Sequence, residues 1–316
     1  MTKYSFTILT FLITELLGLF VPNYCNGQSP KRIKTIIVDA GHGGKDDGAH
    51  GDYEGSLNSK EKNITLAIAL KLVDELKKDM PGVNVIPTRT TDVYQSPREK
   101  AEIANNNHGD IFICIHADAV LLKTGSRVIG HRLERYTAVT YKGKGRKRKK
   151  ITITHTRRVP VLQYYKIPTD RRGTSAWIFS SQKVNDKIDA IEKSDLLFNA
   201  DDNDSTFDIN EDSPEWRAEA LLYTQTYFKK SYRLALDIEN EIDSIGRPAL
   251  GVNQRQKGIW VLQATQMPAV LIETGFISNY DDERYLNSER GQRDIAKCIA
   301  RAIVKYKNQV ETLQAN

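Results

Sequence analysis

The sequence predicts an α/β protein, a sheet of buried strands covered by helices. Two observations lead there. Short β-branched runs alternate with amphipathic stretches through the opening third of the chain, the order of a sheet whose strands are joined by helices. A glycine-rich loop, Gly41-His42-Gly43-Gly44, also follows the first strand directly, at the strand end where open α/β sheets place their sites.

Each element has a local reason. Lys34-Thr35-Ile36-Ile37-Val38-Asp39 reads as a buried strand running into that loop. From Lys60 to Asp79 the apolar residues Ile64, Ile68, Leu72 and Leu76 fall four apart, which predicts an amphipathic helix. Val83 to Pro87 and Ile111 to His116 read as strands, separated by a helix over Arg98 to Asn107. Ser175 to Phe179 is another strand. Ser213 followed by Pro214 marks an N-cap with proline at the first helical position, opening a helix to Ile242. Trp260 to Leu262 and Ala269 to Glu273 read as strands, and Asp281 to Lys307 as a closing helix with Ile295, Ile299 and Ile303 on its apolar face.

The 316 residues are 27% charged and 40% hydrophobic, which excludes wholesale disorder, collagen-like repeats and a multi-span membrane protein. Three cysteines, Cys25, Cys114 and Cys298, are too few for a disulfide framework, and no Cys/His spacing marks a structural zinc site. The formal net charge of +6 is unevenly placed. Residues 123 to 172 hold sixteen Lys or Arg against Glu134 and Asp170, so the rest of the chain is net acidic. The N-terminus carries Lys3, an apolar run from Phe6 to Val21, then Pro22 and the small-residue stretch Cys25-Asn26-Gly27. That is the pattern of a secretory signal over residues 1–27, and it points to an exported protein of the periplasm or cell envelope with no membrane span after cleavage.

Four residues carry the chemistry. His42 lies in the glycine loop, His116 and Glu273 end strands, and Glu61 opens the Lys60 helix on its core-facing stripe. A carboxylate buried there needs a partner. Two imidazoles and a carboxylate make a three-ligand zinc set with an open fourth position, where the metal would activate water and polarise a carbonyl. A further carboxylate could pass the water's proton to a leaving amine, and Glu273 fits that role.

At these residues the chain resembles the zinc-dependent N-acetylmuramoyl-L-alanine amidases of the type-3 amidase family, periplasmic cell-separation enzymes. The matching strings are IIVDAGHGGKDDGAHG at Ile36, KEKNITLAIALKL at Lys60, TRTTD at Thr88, IFICIHADA at Ile111 and MPAVLIETGFISN at Met267. The resemblance implies that His42, Glu61 and His116 bind zinc and that Glu273 is the catalytic acid/base. It also implies hydrolysis of the amide between N-acetylmuramic acid and the L-alanine of the stem peptide in peptidoglycan. The implied fold is an α/β/α sandwich around a twisted, mostly parallel six-stranded sheet, formed by a single catalytic domain over residues 32–308. Two departures from the family pattern stand out. Ala40 takes the place of a frequent proline, and Lys100 that of a usual arginine, which would weaken a bidentate contact.

Two alternatives stay open at this stage. One is an exported zinc peptidase acting on stem peptides, the other an inactive peptidoglycan-binding protein; the intact quartet argues against the second. Two segments fall outside the family pattern. In the basic one, 123–172, alternation over Thr137–Tyr141 and Ile151–His155 around a cationic linker predicts a β-hairpin arm that docks on an anionic surface, not on nucleic acid. The acidic one, 186–212, is either a solvated linker or a regulatory segment that an envelope activator protein displaces, with Glu192 a candidate to occupy the open zinc position.

Overall fold

The computed structural model describes residues 32–180, 214–255 and 259–313. The expected signal sequence over 1–27, the expected Ser213 cap and the acidic segment 186–212 lie outside the described residues.

The first strand, β1 (Thr35–Ala40), is apolar and buried along nearly its whole length, as a strand covered on both faces must be. It is followed by α1 (Glu61–Asp79), β2 (Asn84–Pro87), α2 (Pro97–Asn106) and β3 (Ile111–Asp118). The Ser96 hydroxyl accepts the Glu99 N–H and the Glu99 side chain accepts the Ser96 N–H, so α2 starts on a complete capping box with Pro97 behind it. A long hairpin, β4 (Lys123–Lys142) and β5 (Lys149–Ile167), precedes β6 (Thr174–Phe179) and α3 (Pro214–Ser244). Then come β7 (Ala249–Arg255), α4 (Trp260–Ala264), β8 (Ala269–Phe276), α5 (Tyr280–Asn287) and α6 (Glu289–Leu313).

Six strands form one sheet in the order β2-β1-β3-β8-β6-β7. Every neighbouring pair is parallel except β6 and β8, so β6 and β7 run against the other four. Helices flank this sheet: α1 packs on β1, β2 and β3, and α3 on β6, β7 and β8. Because successive strand residues point to opposite faces, β1 serves two layers. Ile37 joins Phe112, Leu271, Ala101 and Ala104 in one core cluster. Ile36 and Val38 are buried on the opposite face. By its packing the chain divides into Lys34–Tyr306, which carries the sheet, and a small unit whose described residues are 32–33 and 307–313. Within the latter the Ile33 N–H donates to Glu311 Oε1 at 3.2 Å.

Three sequence expectations change. Trp260–Leu262 is not a strand but the start of α4. A short apolar run does not choose between strand and helix by periodicity, and the strand of this region is β7, whose Gly251, at φ 84°, disguised it. The closing helix is two helices. Ser288 between them is extended, with ψ 143°, and its hydroxyl accepts the Gly291 N–H at 2.9 Å. The hairpin runs far beyond its alternating tip, continuing to Lys123 and Ile167 with a bulge at Ile129.

A buried polar frame holds the loop after β1. Asp39, 1% exposed, accepts from Lys100 Nζ at 2.9 Å, Thr88 Oγ1 at 2.6 Å and Cys114 Sγ at 2.9 Å. Burial pushes the Asp39 carboxyl up, but Lys100 first, then the Cys114 and Thr88 donors, hold it below its ordinary range. Lys100 also donates to the Ala40 carbonyl at 2.7 Å, so its ammonium keeps two contacts where an arginine is usual. The described cysteines, Cys114 and Cys298, are both buried free thiols.

Breaking this pair leaves a buried charge alone. Lys100→Met should cost about 3–5 kcal/mol of stability in urea denaturation, and adding Asp39→Asn should recover most of it; an unchanged single-variant midpoint would remove the pair from the frame.

Glu239 in α3 gives a pH test. Its Oε2 accepts the Gly251 N–H at 2.7 Å, and burial, outweighing the Gly251 and Ala176 backbone donors, pushes the carboxyl from 4.5 up to about 7. The folded state therefore holds this proton more tightly than the unfolded one. Stability from this group is full below about 4.5 and is lost as pH rises through about 7. Glu239→Gln should flatten that part of the slope, read as the difference in urea midpoint between variant and wild type at about pH 5 and about pH 8.

Candidate metal centre

The site forms at the carboxyl ends of β1, β3 and β8, as the sequence predicts. His42 follows β1 and adopts φ 59°, a left-handed conformation uncommon outside glycine and concentrated at functional sites. Glu61 is the first residue of α1 and is 4% exposed. His116 lies in the irregular end of β3, where the register to β8 shifts between His116 and Asp118.

These three residues, separated in sequence, come together. One ligand atom from each lies within 4.8 Å of the others. Glu61 is the hub: Oε2 is 3.0 Å from His42 Nε2, and Oε1 is 2.9 Å from His116 Nδ1. The two rings meet edge to face with centroids 4.9 Å apart. Backbone N–H groups complete the carboxylate, Ala49 donating to Oε2 at 2.8 Å and Ala117 to Oε1 at 2.9 Å. Burial alone would raise the Glu61 carboxyl, but hydrogen bonds from His116 and His42 outweigh it and hold the group below the ordinary carboxylate range.

His42 Nδ1 pairs with Asp46 Oδ2 at 2.8 Å. Burial works against the imidazolium, yet Glu61 and then Asp46 push its pKa up to about 8. The pocket thus holds a concentrated demand for positive charge. The donor set fits zinc: two imidazole nitrogens face a carboxylate at close to the spacing of neighbouring ligands around one tetrahedral ion, about 3.3 Å. Asp46 orients one ring from behind, as such sites require.

Two glycines make room for the donors. A Cβ on Gly41 would lie 2.6 Å from His116 Cε1 and Nε2, and one on Gly48 would lie 2.6 Å from Glu61 Oε2. Gly48 also has φ 68°, so both space and backbone demand glycine there.

Glu273 sits opposite His116 on β8 and is 6% exposed. Its Oε1 is 3.6 Å from Arg255 Nη1, while Oε2 is buried with no hydrogen-bond partner among the described residues. Burial pushes the carboxyl up to about 7, with Glu61 and Asp118 raising it and His116 and Arg255 opposing. Arg255 is itself placed over the Trp177 ring at 5.3 Å.

The sequence reading singled out all four of these residues but missed their supports. Arg89, inside the TRTTD string, donates to the Ala40, Gly41 and Lys62 carbonyls at 3.1, 2.9 and 2.9 Å. Glu283 accepts from the hydroxyls of Tyr53, Ser56 and Ser59 at 2.5, 2.7 and 2.7 Å, fixing the loop that leads into Glu61. Asp46, four residues after His42 in a glycine loop, was the support most open to discovery. Glu283 gave no local signal, being more than 220 residues from its partners.

A family model described as N-acetylmuramoyl-L-alanine amidase matches residues 36–305. The chain is 29% identical over 279 residues to a probable N-acetylmuramoyl-L-alanine amidase, AmiB, of Haemophilus influenzae, covering 86% of this chain and 52% of that protein. It is 26% identical over 287 residues to the amidase AmiA of Escherichia coli, covering 89% and 81%. The chain thus spans about half the length of the Haemophilus relative. Among solved structures, an N-acetylmuramoyl-L-alanine amidase from Clostridium difficile superposes with a TM-score of 0.53 at 21% identity, over 88% of this chain and 98% of that one, a likeness of fold. The family match runs from the first strand of the sheet into the last helix, so it describes the whole sheet-bearing body and not one motif: the chain belongs to the N-acetylmuramoyl-L-alanine amidase family.

Proposed function

We propose that the protein is a zinc-dependent N-acetylmuramoyl-L-alanine amidase that hydrolyses the amide between N-acetylmuramic acid and L-alanine in peptidoglycan. The single observation that carries this reading is the intact His42–Glu61–His116 cluster with a buried carboxylate, Glu273, on the adjoining strand, whose Oε2 has no hydrogen-bond partner among the described residues. The relatives' names supply the bond; the residues supply the chemistry.

Zinc held by His42, Glu61 and His116 would polarise the amide carbonyl and acidify water. The chain's own residues do the rest. Asp46 holds His42 by Nδ1, leaving Nε2 for the ion. Glu273 takes a proton from the attacking water and delivers it to the departing L-alanine nitrogen, which would otherwise leave as a poor amide anion. Such a shuttle must work in both protonation states, and a pKa of about 7 suits that at neutral pH. The unpartnered Oε2 leaves one oxygen free for the transfer.

We place the protein outside the cytoplasmic membrane, where peptidoglycan lies and where the N-terminal pattern would send it. Among the described residues no helix is long and apolar enough to cross a membrane. Regulation through the 186–212 segment by an envelope activator belongs to the same proposal.

Three outcomes test it. Replacing His42, Glu61 or His116 by alanine should abolish bound zinc and turnover together, whereas Glu273→Gln should keep zinc by metal analysis and lose about 10²–10⁴ in kcat; near-normal turnover would remove Glu273 from the mechanism. Released intact stem peptides in mass spectra of a digest identify an amidase, and cut stems a peptidase. Gly41→Ala should weaken zinc about 10- to 100-fold in chelator competition by displacing His116.

A further inference from the structure

The β4–β5 arm is the largest feature that the proposed reaction does not use. It pairs with no strand of the main sheet. Strands of this length run about 65 Å, and a lone two-stranded ribbon is marginal in water.

Its surface has a definite chemistry. Between Lys142 and Lys150 lie seven Lys or Arg and no acid, and every one of these residues is exposed. So dense a cationic cluster repels itself and favours a polyvalent anion. Behind the tip, Tyr136, Tyr141 and Tyr164 are exposed, Tyr164 by 68%. Two carry a guanidinium on the ring, Arg148 over Tyr141 at 5.0 Å and Arg157 over Tyr136 at 5.3 Å. Tyr136 also stacks on His155 with the rings 27° from parallel. The arm therefore offers cations at its end and flat aromatic surface along its shaft.

The base is fixed. Arg127 pairs with Glu54 at 2.8 Å and Lys166 with Asp52, the Glu54 N–H donates to the Lys166 carbonyl at 3.3 Å, and the Thr169 N–H to the Ser278 carbonyl at 3.0 Å. Glu54 lies in the loop that Glu283 holds and that leads into Glu61. From that anchor the tip is a strand's length away, so whatever it meets cannot be the small group around the scissile amide. The partner has to be extended.

We propose that the arm is a docking surface for polymeric peptidoglycan, its tip cations meeting the free carboxylates of stem peptides and its exposed tyrosines lying against sugar rings. This rests on the substrate reading above. An anionic lipid surface would engage the tip and leave the tyrosines of the shaft without a role. An extended polymer bearing both carboxylates and pyranose rings uses both.

The test uses the full zinc-loaded chain and a variant with Lys144, Arg146, Lys147, Arg148, Lys149 and Lys150 all changed to Gln. Both are sedimented with purified sacculi in low and high salt, and with anionic phospholipid vesicles and single-stranded DNA as parallel arms. The wild type should bind sacculi, and lose binding in about 0.5 M salt as charges are screened. The variant should bind about tenfold less at low salt while hydrolysing a soluble muropeptide at the wild-type rate. Equal binding by the two chains overturns the proposal and leaves the amidase reading intact, as does wild-type preference for vesicles or DNA over sacculi. Tip-dependent binding to sacculi with no hydrolysis of either substrate would instead overturn the activity and leave the arm standing.

Discussion

A buried carboxylate that must stay charged organises this protein's site. Glu61 is almost wholly removed from water, and an ionised carboxylate in that position is costly without compensation. The fold supplies compensation from three separate parts of the chain: His42 after β1, His116 in β3, and the backbone N–H groups of Ala49 and Ala117. Every one of those donors has to be delivered to one point. The glycines at 41 and 48 then follow as space requirements, because a methyl group at either would collide with His116 or Glu61.

Delivery depends on the loop after β1, which has few apolar contacts of its own and is held by polar ones. Asp39, Lys100 and Arg89 form its buried scaffold, tying the Ala40 and Gly41 carbonyls to the segment just after β2 and to α2. Glu283 performs the same task for the loop before α1 from the far end of the chain. The two loops that frame the metal ligands are therefore locked by buried charged groups, each with its donors or acceptors satisfied. Such networks rigidify a site when complete and are costly when broken.

The sheet explains why Glu273 differs from Glu61. Both are buried carboxylates near the same histidine, yet among the described residues Glu61 is saturated with donors while Glu273 has one distant guanidinium and an Oε2 without a hydrogen-bond partner. Their environments push the two groups in opposite directions, one below its ordinary range and one up to about 7. That divergence gives one pocket two carboxyls of opposite character from the same side chain type, the pattern that the proposed division between ligand and acid/base would need. The β8–β6 boundary, where the sheet reverses direction, puts Ser175 across from Glu273 and brings Arg255 over Trp177 into range.

The sequence by itself determined the alternation of β1, α1, β2, α2 and β3, because 3.6- and 2-residue apolar periods are local properties of the chain. It also pointed to His42, Glu61 and His116, which the fold brings together, and to the cationic hairpin tip, since a glycine loop, a buried acid and a run of lysines declare themselves without neighbours. It misread Trp260–Leu262 because three apolar residues carry no period, and it joined α5 to α6 because Ser288 breaks the helix through its capping geometry. Only the tertiary structure decided that β6 and β7 oppose the other strands, that Asp46 and Glu283 support the ligands, and that Glu273 is left an unpartnered oxygen. Those are properties of distance between residues far apart in sequence, and burial without a partner exists only once the chain has closed around the group.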